Sequence, residues 1–334
     1  MTVPLDFTRP PTAKERLKLG ARLHRLNQPG QAARIDRLYQ SMPGTSLPQE
    51  FIVRSGFSYR EHDIDPDASD RKAPPRALRP PATRLMSPRG GALRFALTLL
   101  ALAQKNRKPG VKARLKELQI STVGDSQTLG WANFLAADAT DSSGGKVFLS
   151  ARDKRARSVR SALHALDAAG LVLLPPGEPG SRNRFERFVL LNECGIEAVG
   201  EAEEYRVPTQ KEMAFTMPNG FITNGWIHVL EDSEIALLLM VACHRGGWLE
   251  DELVVVPPDV RLKNYGIHRD AYSSARKMLE WCGLLEVEEM GRHEDGRAEN
   301  AELRTHRLRL RLIGFEETAT SRLLQELTHQ LARS

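Results

Sequence analysis

One phrase occurs twice in this chain and limits what it can fold into. Setting Gly170 against Gly283, an offset of 113, lays "LHALDAAGLV" over "RKMLEWCGLL". The same register pairs Val159 with Tyr272, Ser161 with Ser274, Ala162 with Ala275, Leu166 with Leu279, Ala169 with Cys282 and Leu171 with Leu284. One core-like position disagrees, Leu163 against Arg276. In both copies an apolar run precedes the match, "LRFALTLLALAQ" in the first and "EIALLLMVAC" in the second. In both, a Gly-containing polar turn and a β-like run follow it, "FERFVLL" and "THRLRLRL". Internal similarity at a fixed offset means one supersecondary unit used twice. In each unit a first helix supplies core, and a later helix packs an apolar face on it, Val159, Leu163, Leu166 and Ala169 in the first copy. The glycine at that helix's end can take the left-handed conformation that releases the chain. A β-hairpin then covers the core and projects its turn.

The remaining segments frame the two copies. Residues 12–41 read as one or two amphipathic helices broken at "NQPGQ", with Leu17, Leu19, Leu23 and Leu26 in the first run and Ile35, Leu38 and Tyr39 in the second. From Asp63 to Arg89 the text is polar and Pro-rich and reads as an extended linker. Its acidic half, "EHDIDPDASD", offers carboxylates without distant partner ligands, so a solvated loop is expected there rather than a metal site. Further helical signal covers Lys112–Leu118 and Gly130–Ala137, and "KVFLS" at 146–150 suits a short strand. Residues 193–224 read as an irregular acidic connection, and 316–333 as a closing helix. The expected layout is a helical segment 1–62, a linker 63–90, a first unit 91–192, a connection 193–224, a second unit 225–314 and a helix 315–334.

Charge separates these parts. Residues 1–120 carry 23 Lys and Arg against 10 Asp and Glu, whereas the net charge of the whole chain is only +6. A basic front on a mildly acidic body suits an anionic partner for the front, or a solvated basic arm. The sharpest local concentration is "KRARSVRSALHALDAAGLVLL", which opens with Lys154, Arg155, Arg157 and Arg160. Cations at a helix N-terminus sit where the helix dipole disfavours them, so the cluster points to an anion outside the protein. The three cysteines are far apart, with no C-x-x-C, so neither a disulfide framework nor a zinc site is expected. No apolar run reaches the length of a membrane span, and a cytoplasmic protein without a membrane partner is expected.

The repeated phrase L-x-x-L-x-x-x-G-L-[VL], each time after a buried helix and before a hairpin with a long polar turn, resembles the winged-helix superfamily. That resemblance covers residues 90–192 and 226–314. It implies a mainly α chain with small β-hairpins, an α+β fold of two winged helix-turn-helix domains in tandem behind an N-terminal arm. It also implies double-stranded DNA as the partner, because the helix before the wing usually enters the major groove and the wing reaches the backbone. Carried over by position, the first recognition helix offers Lys154, Arg155, Arg157, Ser158, Arg160, Ser161 and His164, and its wing Arg182, Asn183 and Arg184. The second unit offers Lys263, Asn264 and Tyr265 before the helix, His268, Arg269, Ser273, Ser274 and Lys277 on it, and Arg292, His293 and Arg297 in its wing. These types suit the task, since Arg reads guanine edges, Asn reads adenine, and Arg, Lys and Ser hold phosphates.

Tandem winged helices look like plasmid or phage replication initiators and like transcription regulators, and no motif separates the two. A winged-helix interaction scaffold in a chromosome or plasmid maintenance complex is the rival of another class. A self-association through the C-terminal helix is compatible with either. Enzyme readings find no support, because the chain lacks a P-loop, G-x-S-x-G, H-E-x-x-H or G-x-G-x-x-G. No cofactor, metal or small-molecule ligand is expected.

Overall fold

The structure is a computed structural model that describes residues 5–39, 48–61, 72–87, 91–105, 107–113, 115, 120–124, 128–135, 142–144, 147–176, 182–244, 252–289 and 306–333. In chain order these form α1 (Ala13–Leu26), α2 (Gln31–Leu38), β1 (Glu50–Arg54), α3 (Ser55–Ser58), α4 (Pro81–Arg84), α5 (Ala92–Gln104), α6 (Trp131–Leu135), β2 (Ser142–Gly144), β3 (Val147–Leu149) and α7 (Ala151–Ala168). There follow β4 (Val172–Leu173), β5 (Val189–Leu190), α8 (Ile196–Val199), β6 (Ala214–Pro218), α9 (Gly220–Thr223), α10 (Trp226–Val229), α11 (Asp232–Cys243), α12 (Pro258–Lys263), α13 (Arg269–Trp281), β7 (Leu285–Glu289), β8 (His306–Leu310) and α14 (Ala319–Ala332). The chain is thus a helical protein with small antiparallel two-stranded sheets, an α+β architecture. Among the described residues no helix is long and apolar enough to cross a membrane.

The two copies of the repeat share an order of three helices and a closing antiparallel pair, into which the first copy inserts an additional pair of strands. In the first, the buried helix α5 is followed by α6, the antiparallel pair β2–β3, α7 and the antiparallel pair β4–β5. In the second, the buried helix α11 is followed by α12, α13 and the antiparallel pair β7–β8. Both repeat glycines end their helices with positive φ, +69° at Gly170 and +76° at Gly283. After each, the chain bonds back across its helix end in the same way: the N–H of Leu171 donates to Leu166, and that of Leu284 donates to Leu279. Val159, Leu166, Leu279 and Leu284 are fully buried, and Ala162 and Ala275 nearly so. The mismatched pair resolves by length: Leu163 is buried, and Arg276 occupies its counterpart with the stem inside. Its guanidinium reaches out to Glu280 at 3.5 Å and Glu289 at 3.8 Å, so a long cation satisfies an apolar position.

Each unit adds isolated bridges beside its hairpin, but not in the same place. In the second unit Val254 exchanges both hydrogen bonds with Leu308, at 2.7 and 2.9 Å, which lays a one-residue bridge against β8. In the first unit, residues 203–207 come between. Tyr205 donates to Leu190 on one side and accepts from Ala113 on the other. Lys112, expected at the start of a helix, is instead bridged to Arg206 in this ladder.

Two segments that read as connections are structural. Residues 193–224 contain β6, which pairs antiparallel with β1 from Glu50↔Pro218 to Arg54↔Ala214. This sheet lies between the units, β1 against α5 and β6 against α11. Arg54 fixes its end, paired with the buried Glu193 at 2.7 Å and with Glu212. The Pro-rich stretch is the second. Over residues 72–87 it forms a strap with a 3-10 turn at Arg76–Leu78 and the short helix α4, and it buries Ala82 and Leu85. The N-terminal helix is likewise docked rather than an arm. Thr12 and Glu15 close a capping box on α1, and α1 packs against α14. Arg22 of α1 forms a buried pair with Glu234 of α11, and Phe7 stacks on Trp281 of α13 at 4.2 Å between ring centroids.

Candidate nucleic-acid interface

Helix α7 begins where Ser150 accepts the N–H of Asp153 at 3.0 Å. Ala156, Val159, Ala162, Leu163 and Leu166 recur at helical spacing and face α5 and α6. The opposite face carries Arg157, Arg160, Ser161 and His164, all exposed. Lys154, Arg155 and Ser158 are half-buried on its edges, and the Ser158 hydroxyl donates to the Lys154 carbonyl at 3.1 Å. Arg157 and Arg160 make no ion pair with any described residue. Asp167, the carboxylate at the far end, accepts the N–H of Leu174.

The segment between β4 and β5 completes this face with a residue that the sequence reading missed. Residues Arg182–Phe185 form a 3-10 turn, and Phe185 lies against α7. Its ring meets His164 edge-on at 5.3 Å and carries the guanidinium of Arg160 at 5.7 Å and that of Arg184 at 4.9 Å. Each cation–π contact at an exposed site contributes about 0.5–1 kcal/mol, which holds two arginines beside each other despite their like charge. The side chains of Arg182 and Asn183 lie outside the described residues. An aromatic flanked by arginines in "RNRFER", within a chain that is only 6% aromatic, is the signal that could have singled out Phe185.

Helix α13 presents a narrower face. His268 and Arg269 are exposed, while Ser273 and Lys277 are half-buried, as is Lys263 at the end of α12. Burial pushes the His268 imidazole below its ordinary value, helped by the nearby Arg79 and Arg261 and opposed by Asp270. Three expected contacts are corrected. Asn264 is buried, donating to the Arg60 carbonyl at 2.9 Å while its own carbonyl accepts the Arg60 N–H at 3.0 Å. Tyr265 is fully buried, its hydroxyl bonded to His244 and its ring edge-on to Tyr59 at 5.3 Å. Ser274 is 5% exposed and accepts from Lys18 of α1 at 2.9 Å. Each is committed to holding the N-terminal segments in place. Arg292, His293 and Arg297 lie outside the described residues.

The described strands of the second unit's hairpin, β7 and β8, pair their charges with each other. Arg309 bonds Glu286 at 2.7 Å, and Arg307 and His306 lie 3.8 and 3.9 Å from Glu288 and Glu289. Among the described residues, Arg157 and Arg160 of α7 and Arg184 of the turn beside it make no ion pair. Among the described residues no cluster of three or more His, Cys, Asp or Glu is placed to hold a metal ion. No protein-family model matches the chain, and neither a curated protein nor a solved structure does.

Proposed function

We propose that the protein binds double-stranded DNA through two winged-helix units in tandem, with α7 as the principal reading helix. The observation that carries this reading is the outer face of α7. Arg157, Arg160, Ser161 and His164 stand together there, Phe185 gathers Arg160 and Arg184 beside them, and no described carboxylate pairs with these arginines. A helix with a buried apolar face and such an outer face suits a major groove, where Arg can engage guanine edges and Ser and His can engage either bases or phosphates. The three helices and closing hairpin common to both copies, with β2–β3 inserted in the first, support the winged-helix reading. On α13, Arg269, Ser273 and Lys277 would make lesser contacts.

The test is duplex binding by the full chain. DNA fragments retained from a genomic pool give the site, and fluorescence anisotropy gives the affinity. Arg157→Ala should weaken binding to the selected duplex by about tenfold or more. Absence of duplex binding at low salt, or an unchanged affinity in an Arg157→Ala/Arg160→Ala double variant, would sink the reading. The retained DNA also separates the biological roles: directly repeated sites beside an origin support replication initiation, and a site over a promoter supports transcription regulation.

A further inference from the structure

A groove of about 530 Å³ runs between α7 and the strap 72–87. Arg76 and Arg84 of the strap line it, as do Lys154 and Arg157 of α7, and no carboxylate does so among the described residues. Its floor on α7 is made of small side chains, Ser161, Ala165 and Ala168. Arg157 and Ser161 belong both to this groove and to the outer face of α7. The groove is therefore the far shoulder of that face, opposite the Phe185 cluster.

The strap arginines are held in place. Arg76 donates to the carbonyls of Arg84 at 2.9 Å and Met86 at 3.2 Å, and Arg84 donates to Ala169 at the end of α7 at 2.6 Å. A guanidinium has five N–H donors, so Arg76 keeps others for a ligand while these two bonds fix its position. The strap also continues toward the second unit. A side chain at Gly266, just before α13, would meet Thr83 and Arg79 of the strap.

We infer that this groove holds one sugar-phosphate strand of the duplex whose major groove α7 enters, and that the strap is a second lip of the interface opposite the wing. The inference rests on the duplex-binding reading. A strand fits better than a small anion because of how the cations are spread. Lys154 and the Ala169 carbonyl that Arg84 grips lie about 22 Å apart along α7 at the helical rise of ~1.5 Å per residue. A small-molecule site converges its polar groups on a point, whereas a nucleic-acid strand presents charge at regular intervals. The floor of Ser161, Ala165 and Ala168 lets a backbone approach the helix closely.

The experiment uses the full chain and a fluorescein-labelled mixed-sequence duplex of about 30 base pairs, titrated from roughly 50 to 200 mM KCl. Arg76→Ala should lower the slope of log affinity against log salt by about one, and Arg76→Lys should keep the wild-type slope. Ala168→Glu, a substitution on the exposed groove floor that helices tolerate, should weaken binding about tenfold, with Ala168→Gln within about twofold. If the duplex binds but Arg76→Ala keeps the full slope and Ala168→Glu keeps the affinity, the inference fails and the duplex reading stands. If the wild-type chain binds no duplex, both fail together. If inorganic tripolyphosphate binds saturably at micromolar concentration without DNA, and Arg76→Ala abolishes it, the groove is a small-anion site and the strand assignment is overturned.

Discussion

Arg22→Met is the substitution whose cost the structure defines most closely. Arg22 and Glu234 are 3% and 2% exposed, and two N–H groups of the guanidinium meet the two carboxylate oxygens at 2.8 Å each. The same guanidinium donates to the Val229 carbonyl at 2.7 Å. Methionine fills the volume of the stem but leaves Glu234 charged and buried, with the Glu231 N–H at 2.8 Å as its remaining donor. Removing one partner of such a pair costs about 3–5 kcal/mol, a large part of the ~5–15 kcal/mol that stabilises a typical domain. Adding Glu234→Gln removes the stranded charge and still accepts the Glu231 N–H, so the double variant should recover most of that loss. Urea unfolding reads this as a midpoint that falls in the single variant and largely returns in the double, with an unchanged slope. Trp281, stacked on Phe7, reports the docking of the N-terminal segment, and its emission should shift to the red when that segment releases. A cost of about 1 kcal/mol or less, the range of an exposed pair, would refute the argument. So would a double variant as unstable as the single. Either result would mean that α1 does not seal against α11.

His228 gives a pH dependence. Burial, reinforced by Arg94, pushes its imidazole down to about 3 from an ordinary 6.5. The unfolded chain then binds the extra proton over the window between these values. Stability is therefore full above about pH 6.5 and falls as the pH drops toward 3, by about 2 kcal/mol at pH 5, a loss that His228→Phe should flatten in urea titrations across that window. Phe185→Leu should weaken duplex binding several-fold with no change in melting temperature, because it removes two contacts worth about 0.5–1 kcal/mol each that order Arg160 and Arg184; anisotropy and calorimetry check the two halves. Gly283→Ala should cost about 1–2 kcal/mol in unfolding experiments, since only the left-handed backbone strain is at stake there. Gly170→Ala should cost more, because the added carbon would also lie 3.1 Å from Ile196.

What could be read in the sequence was what neighbours along the chain decide. The buried faces of α7 and α13 follow from spacing, and their ends follow from Gly170 and Gly283. The outward placement of Arg157, Arg160, Ser161 and His164 follows from the same spacing once the apolar face is known. What could not be read was set by partners far away in sequence. β1 and β6 are five-residue strands whose pairing spans residues 50–54 and 214–218, and neither has a local turn signal that names its mate. Asn264 and Tyr265 look like polar lead-in to a helix, and only Arg60, Tyr59 and His244 turn them inward. The Pro-rich composition of residues 72–87 predicts an extended segment. It does not predict that Arg84 will cap the Ala169 carbonyl and lock the strap to α7.

The two copies of the repeat have diverged in how they treat charge, and this bears on the proposed division of labour. The second unit pairs Arg307 and Arg309 of β8 with Glu288 and Glu286 of β7, and the flank of α13 at Ser274 and Trp281 is covered by Lys18 and Phe7. At the position matching Ser274, the first unit leaves Ser161 exposed. It also sets Arg160 and Arg184 around one ring with no described carboxylate paired to either. Gathering like charges costs free energy, and the same chain contains a working way to neutralise them in β7–β8. A cluster that keeps its repulsion when a pairing solution is available in its own repeat is best accounted for by an anion that arrives from outside. On that argument the first unit would supply most of the affinity for the proposed duplex. The second, anchored to the N-terminal segments and to the strap at Gly266, would set the orientation in which α7 meets it.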